Sequence, residues 1–191
     1  MEKTDNYLKL GRYFLHEGCY DLAINALSKA VEIDPANAEA YDLRGMAHGR
    51  QYEYDEAISD CGMAIQIDNT FAGAYCNRGL SYYKKSMFDE AKADYNKAIE
   101  LSPDIGVFYA NRGLAYYYTD EYPKAIADFD KAIELDPYNS ETYTYRGETY
   151  IIIGELAKAT IDFDTAITLN PSDIIAYGNR VWAINAGDRN I

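Results

Sequence analysis

A 34-residue period runs through most of the sequence. Glycine recurs at this interval, and an alanine follows each glycine after twelve residues and again after nineteen; the glycines are Gly11, Gly45, Gly79, Gly113 and Gly147. A tyrosine precedes each glycine by four residues, and a proline closes four of the five periods. Periods of this length are typical of repeat proteins, in which each repeat packs on its neighbours. The period therefore constrains the fold more than the composition does.

The spacing inside each period is helical. In the fourth period Tyr109, Gly113 and Tyr116 follow one another at steps of four and three residues, and Ala125 and Phe129 continue such steps further on. Steps of three and four place residues on one face of a helix. Each period is thus predicted to form two helices that cross at small residues, here Gly113 and Ala125. We expect leucine at Gly113 to wedge the two helices apart.

The repeated pattern resembles that of the tetratricopeptide repeat. The fourth period reads Tyr-x-x-Arg-Gly-x-x-Tyr, and Ala, an aromatic residue, Ala and Pro follow. The resemblance implies an all-α fold, a right-handed superhelix of five helix-turn-helix repeats with a C-terminal capping helix, in a single domain. The repeats are residues 4–37, 38–71, 72–105, 106–139 and 140–173, and the capping helix and tail are residues 174–191. Departures from the family pattern are tyrosine in the usual tryptophan place, Leu27, Cys61 and Asn69.

Residues 174–191 resemble the start of a sixth repeat. Tyr177 and Arg180 occupy the expected places, but Val181 replaces the glycine. A helix without a partner helix tolerates this change, which favours a capping helix. Caps of repeat arrays are usually polar, whereas this one carries Val181, Trp182 and Ile184. We infer either a covered end, with these three residues as an assembly surface for a homo-oligomer, or an array that continues in a longer chain.

Four repeats carry an arginine that an aspartate follows sixteen residues later. These residues are Arg44 and Asp60, Arg78 and Asp94, Arg112 and Asp128, and Arg146 and Asp162. Pairing within each repeat leaves Arg180 without a partner, whereas pairing each aspartate with the next repeat's arginine leaves Arg44 spare. Because Arg180 is present, the sequence favours pairing between repeats. An alternative is that the arginines receive an anionic ligand.

In the resembled family, ligands lie on the concave face formed by the first helices. The resemblance implies a peptide-binding groove in repeats three to five that comprises Cys76, Leu80, Tyr83, Lys84, Val107, Ala110, Leu114, Tyr117, Tyr118, Glu148, Ile151 and Ile152. Repeat two contributes a different mixture, which includes Asp42, Met46, Gly49 and Arg50. The lysine and asparagine set by which some members clamp a C-terminal carboxylate is missing. The groove favours a peptide with apolar or aromatic anchor residues. The alternative is that the side chains of the groove only pack on one another across adjacent helices.

The charge balance and the cysteines argue against several classes of function. With 18 basic and 31 acidic residues the net charge is −13, so the average field repels nucleic acids and anionic membranes. Cys19, Cys61 and Cys76 form an odd set without CxxC spacing, which disfavours a disulfide framework and a thiolate metal site. No long apolar run and no secretory signal is visible in the sequence, which predicts a cytoplasmic protein.

Motifs for catalysis and for cofactor binding are missing from the sequence. His16 and Cys19 lie three residues apart, but without a carboxylate framework they do not define a metal site. The sequence contains neither a glycine-rich phosphate loop nor a nucleophile motif. The predicted function is a non-catalytic adaptor without a cofactor, which binds another protein or peptide. The alternative is self-assembly through the apolar cap.

Overall fold

Five helix pairs and an eleventh helix form the structure. The computed structural model describes residues 2–188, and all regular elements in this range are helices. They are α1 Glu2–His16, α2 Tyr20–Ile33, α3 Ala38–Arg50, α4 Tyr54–Ile67, α5 Ala72–Lys84, α6 Phe88–Leu101, α7 Gly106–Tyr118, α8 Tyr122–Leu135, α9 Ser140–Ile152, α10 Leu156–Leu169 and α11 Ile174–Asp188. We call α1, α3, α5, α7 and α9 the first helices and α2, α4, α6, α8 and α10 the second helices. The predicted all-α fold of paired helices is confirmed.

The chain divides into two compact units. The N-terminal unit ends at Ser102 and contains α1 to α6, and the C-terminal unit begins at Pro103 and contains α7 to α11. In each unit a first helix packs on the second helix of its own repeat, and that second helix packs on the first helix that follows in the same unit. The helix α11 packs in the same way on α10. Each unit is therefore a stack of helix pairs.

The recurring glycines make room for one large side chain of the second helix. A Cβ atom on Gly113 would lie 2.7 Å from Cε1 of Phe129, and one on Gly147 would lie 2.8 Å from Cε1 of Phe163. Carbon atoms in contact normally stay about 3.5–4.0 Å apart. Both phenylalanines are fully buried. The glycine and the ring sixteen residues later thus interlock the two helices of one repeat.

A residue in the left-handed backbone region follows each first helix. Repeats one and five have Gly18 and Gly154 there, with φ of 72° and 82°, and repeats three and four have Ser86 and Asp120. Repeat two has Tyr52, with φ of 66°. Glycine adopts this conformation without strain, whereas a bulky L-residue does so at a cost of about 1–2 kcal/mol. Tyr52 is therefore held in a conformation that its side chain opposes.

Candidate functional site

A cavity of about 420 Å³ opens on the first-helix side of the N-terminal unit. It lies between α3 and α5, and we call it the α3–α5 cavity. Its lining consists of Tyr20, Gly45, Met46, Gly49, Arg50, Tyr52, Tyr54, Asn77, Leu80, Ser81 and Lys84. Ligand pockets in proteins measure about 300–1,000 Å³. The cavity is therefore large enough for a side chain or a short segment of a partner.

The cavity exists where one repeat lacks a side chain. Gly49 holds the twelfth place of repeat two, and the same place holds Leu15, Tyr83, Tyr117 and Ile151 in the other repeats. A Cβ atom on Gly49 would lie 3.8 Å from the Cβ atom of Ala57 and 3.9 Å from Oγ of Ser81. These are ordinary contact distances, so packing does not force a glycine here. Gly49 therefore contributes no side chain at a place where four other repeats have a large one.

Tyrosines and two cationic side chains surround this space. The rings of Tyr52 and Tyr54 meet edge to face with centroids 6.3 Å apart. Arg50 and Lys84 are exposed in the last turns of α3 and α5. The Nζ atom of Lys84 lies 5.6 Å from the ring centroid of its neighbour Tyr83. The cavity thus joins an apolar, aromatic lining to positive charge.

A buried carboxyl group lies beside the cavity. Asp42 on α3 is 5% exposed, and its Oδ1 accepts a 2.8 Å hydrogen bond from Nδ2 of Asn77. Burial raises the pKa of Asp42 to about 6; the hydrogen bond from Asn77 opposes this shift and the charge of Glu39 adds to it. Burial also raises the pKa of the Cys61 thiol, and the charge of Asp42 contributes to that shift. The contact between α3 and α5 therefore contains a carboxyl group whose pKa burial raises above its ordinary value.

Four predicted groove residues lie in the N-terminal unit. Leu80 and Lys84 are exposed and line the α3–α5 cavity. Cys76 is buried, and Tyr83 is half-buried and contacts Phe88 with ring centroids 5.8 Å apart. The prediction named Leu80 and Lys84 but left the neighbouring Tyr52 and Tyr54 out. Tyr52 could have been predicted from the sequence, because the other repeats have glycine, serine or aspartate at the same place in the turn after the first helix.

The other predicted groove residues lie in the C-terminal unit. Val107, Tyr118 and Ile152 are exposed, whereas Ala110, Leu114, Tyr117, Glu148 and Ile151 are half-buried. The rings of Tyr117 and Tyr118 meet edge to face with centroids 5.2 Å apart, and burial raises the pKa of Tyr117. Oε1 of Glu148 accepts a 2.9 Å hydrogen bond from Nδ2 of Asn179 on α11, and burial raises the pKa of Glu148. Ile151 packs on the buried core of this unit. Part of this set is therefore surface and part is core.

The arginine and aspartate pairs form within repeats, so the predicted pairing between repeats is wrong. In repeat two, Nε and Nη2 of Arg44 each donate a 2.7 Å hydrogen bond to Asp60. The same two-pronged contact joins the other three pairs. Residues sixteen apart face each other across the two helices of a repeat, as the glycines and rings do. Arg180, which suggested the other pairing, contacts Asp164, sixteen residues before it.

Arg146 also joins consecutive repeats. Besides Asp162, Arg146 contacts Asp130 on α8, and the distance from its Nη1 to Oδ1 is 2.6 Å. Burial lowers the pKa of Arg146, but the two carboxylates more than compensate and raise it overall. Its donors are directed at protein carboxylates on both sides. This arginine is therefore structural and does not serve as an anion receptor.

Models of the tetratricopeptide repeat (TPR) family match most of the chain. The matches cover residues 7–51, 72–105, 107–139 and 129–160. The chain belongs to the tetratricopeptide repeat family. No curated protein matches this TPR chain significantly.

Solved TPR structures share the fold over nearly the full chain. MamA is 26% identical with a TM-score of 0.74, and the match covers 89% of this chain and 93% of MamA. PilF of Pseudomonas aeruginosa is 21% identical with a TM-score of 0.89 and coverages of 98% and 85%. YrrB, a TPR protein with an unusual peptide-binding site, is 21% identical with a TM-score of 0.71 and coverages of 90% and 89%. These similarities establish the TPR fold.

The TPR fold positions neither a metal centre nor a membrane span in residues 2–188. Within that range, three or more His, Cys, Asp or Glu side chains do not gather where they could hold a metal ion. Nδ1 of His48 lies 2.6 Å from Oε2 of Glu53, and Nδ1 of His16 lies 3.1 Å from Oε1 of Glu17. Each histidine thus faces a carboxylate beside it. Every helix in the range falls short of the length and hydropathy that crossing a bilayer requires.

Proposed function

We propose that this TPR chain is a non-catalytic adaptor that binds a peptide segment of another protein along its first helices. The α3–α5 cavity, a ligand-sized opening between two first helices, is the observation that carries this proposal. The C-terminal unit has exposed apolar residues of its own at predicted groove positions, such as Val107, Tyr118 and Ile152. The proposed location is the cytoplasm, where the free thiols of the chain stay reduced.

The energetics require several anchors. Burying one large apolar side chain contributes about 1.5–3 kcal/mol, whereas micromolar affinity corresponds to about 8 kcal/mol. Association and ordering of the peptide oppose binding by several kcal/mol more. Three or four anchors in one peptide are therefore needed. The peptide-binding site named for YrrB supports a peptide as the ligand class.

Nuclear magnetic resonance tests the proposal directly. The isotopically labelled protein is titrated with pools of peptides that carry three spaced leucine, phenylalanine or tyrosine residues. We expect shift changes on the first helices, and weaker binding in Tyr118→Ala. A matched control is Ile161→Ala, since Ile161 is 65% exposed on the second helix α10. Shift changes restricted to the second helices would contradict the proposal.

A second candidate function is self-assembly through α11. Ile174, Tyr177, Val181 and Ile184 are exposed at steps of three, four and three residues, and Trp182 beside them is 54% exposed. Such steps form a continuous apolar stripe, which is the pattern of paired helices. In repeat five the corresponding face carries Gly147, which receives a ring from the second helix. Val181 has a side chain in that place, so this face favours a different packing partner.

Light scattering tests the assembly candidate. We expect a dimer at high protein concentration and a monomer after Trp182→Asp, because a charge in an apolar interface is costly to desolvate. The control variant is Tyr138→Asp, because Tyr138 is also exposed but lies in the turn before α9. A monomer at every concentration would remove this candidate and leave the adaptor proposal intact.

A further inference from the structure

We propose that the α3–α5 cavity binds an apolar side chain of the partner that is flanked by acidic residues, with Arg50 and Lys84 contacting the acidic carboxylates. This inference rests on the proposed adaptor function and specifies the peptide that one unit recognises. The occupant is a segment of another protein with an aspartate or glutamate beside a leucine-sized residue. The carboxylates belong to side chains, so a free C-terminus is not required.

The shape of the cavity depends on the missing side chain of Gly49. A large side chain fills the twelfth place in four repeats, and Gly49 leaves the same place open in repeat two. Since a Cβ atom fits at Gly49 without a close contact, helix packing accepts alanine, which forms helices better than glycine does. The glycine thus opposes helix stability and keeps the cavity open. A side chain of the partner can take the place of the missing one.

Tyr52 lies in the lining of the cavity. This residue is 79% exposed and has φ of 66°, so it gains little from burial and is held in an unfavourable conformation. Every repeat has the left-handed conformation at this place, and the other four repeats hold glycine, serine or aspartate there, so it is the bulky tyrosine that distinguishes repeat two. Strained residues of this kind concentrate at ligand sites, where they contribute to binding. An exposed ring beside Tyr54 offers an apolar surface to a ligand that enters the cavity.

Two cationic side chains in the lining of the cavity, Arg50 and Lys84, form no ion pairs with residues 2–188. Within residues 2–188, Arg50 is the one arginine without an ion pair; Arg12, Arg44, Arg78, Arg112, Arg146 and Arg180 all contact carboxylates. Lys84 likewise forms no ion pair with a residue in this range, and its Nζ atom lies 5.6 Å from the ring centroid of Tyr83. Both cations lie at helix C-termini, where each dipole supplies a partial negative charge of roughly half a unit. Each full positive charge exceeds the dipole at its own helix end. Arg50 and Lys84 are exposed whereas the carboxyl group of Asp42 is buried, so an acidic segment that reaches the cavity from solvent meets the two cations, in a chain whose net charge is −13.

Fluorescence polarisation tests the inference with labelled peptides that are acetylated and amidated at their ends. Each peptide carries three leucines, flanked by aspartates, by asparagines or by lysines. We expect the aspartate peptides to bind most tightly, and their affinity to fall as salt screens the charges. Gly49→Tyr, which inserts the residue found in repeats three and four, is expected to weaken binding by about tenfold or more. Gly49→Ala is the matched control and retains most of the affinity.

Two further variants separate binding from folding. Tyr52→Gly relieves the backbone strain, so we expect a higher melting temperature together with a lower affinity for the aspartate peptides. A purely structural role of Tyr52 would not produce these opposite changes. The double variant Arg50→Gln and Lys84→Gln, which removes both charges, is expected to lose the preference for aspartate over asparagine peptides and the dependence on salt. Circular dichroism verifies that each variant is folded.

The outcomes distinguish this inference from the proposed function. Binding of aspartate peptides that is unchanged by Gly49→Tyr overturns the cavity as the site, while the adaptor function stands. Equal affinity for aspartate and asparagine peptides overturns the charge selection. Absence of binding in all three peptide sets overturns both proposals. A dimer that Gly49→Tyr abolishes would identify a second copy of the chain as the occupant and overturn the acidic segment.

Discussion

We expect Asp42→Asn to stabilise the protein above pH 6 and to have little effect below about pH 4. Asp42 is 5% exposed, and burial raises its pKa from 3.8 to about 6. Folding therefore favours the neutral carboxyl group over the carboxylate. Asparagine has nearly the same shape and stays neutral at every pH. Its side-chain oxygen can still accept the hydrogen bond that Asn77 now donates to Asp42.

The magnitude follows from the two pKa values. One pKa unit corresponds to about 1.4 kcal/mol, so the shift from 3.8 to about 6 amounts to roughly 3 kcal/mol. Because the pKa of Asp42 is higher in the folded state, the folded protein binds more protons than the unfolded chain between these values. Its stability therefore falls as the pH rises from about 4 to 6, and the loss stays constant above that range. The asparagine variant lacks this loss.

Urea unfolding followed by circular dichroism measures the effect at a series of pH values from 4 to 8. We expect the difference in the free energy of unfolding between Asp42→Asn and the unchanged protein to grow with pH and to level off above pH 6. Asp104→Asn removes the same charge in an exposed turn and serves as control. A difference that does not vary with pH, or a less stable Asp42→Asn at pH 8, would refute the reasoning.

Two further predictions concern packing and buried charge. Gly113→Ala is expected to destabilise the fold by about 1–3 kcal/mol, because its Cβ atom would lie 2.7 Å from Phe129. Gly178→Ala is the control, since a Cβ atom there would meet no neighbouring atom within 4 Å. Equal melting temperatures for the two variants would contradict the packing argument. Arg146→Met leaves the buried Asp162 unpaired and is expected to lower the free energy of unfolding by about 3–5 kcal/mol. In chemical denaturation, the double variant that also carries Asp162→Leu is expected to recover most of this lost stability. If it does not, the loss of the ion pair is not the cause of the destabilisation.

The repeat pattern predicted the helices well because each repeat uses the same local contacts. Gly113 and Phe129 interlock within about half a period, so their spacing reveals which helices touch. The arginine partners were harder to predict. An aspartate sixteen residues after Arg146 and another sixteen residues before it are both in reach, and Arg146 contacts both. Spacing in a periodic sequence fits either neighbour, so only the side-chain geometry of the structure could decide.

The candidate site was only partly predictable. The sequence placed Gly49, Arg50 and Lys84 among the positions where family ligands bind, but a glycine in a helix does not reveal whether neighbouring side chains fill the space above it. The structure shows that Ala57 and Ser81 stay about 4 Å from where a Cβ atom would lie. The cavity is therefore a property of the four helices α2 to α5 together, which no single segment encodes.

The amino-acid sequence alone determined the helical period, the two helices of each repeat and the net negative charge, because these depend on neighbours in the chain and on composition. The tertiary structure decided which carboxylate each arginine contacts, the burial of Asp42 and the opening beside Gly49. It also revealed the left-handed conformation of Tyr52. These features depend on distances between helices, and such distances follow from the packing of all side chains at once.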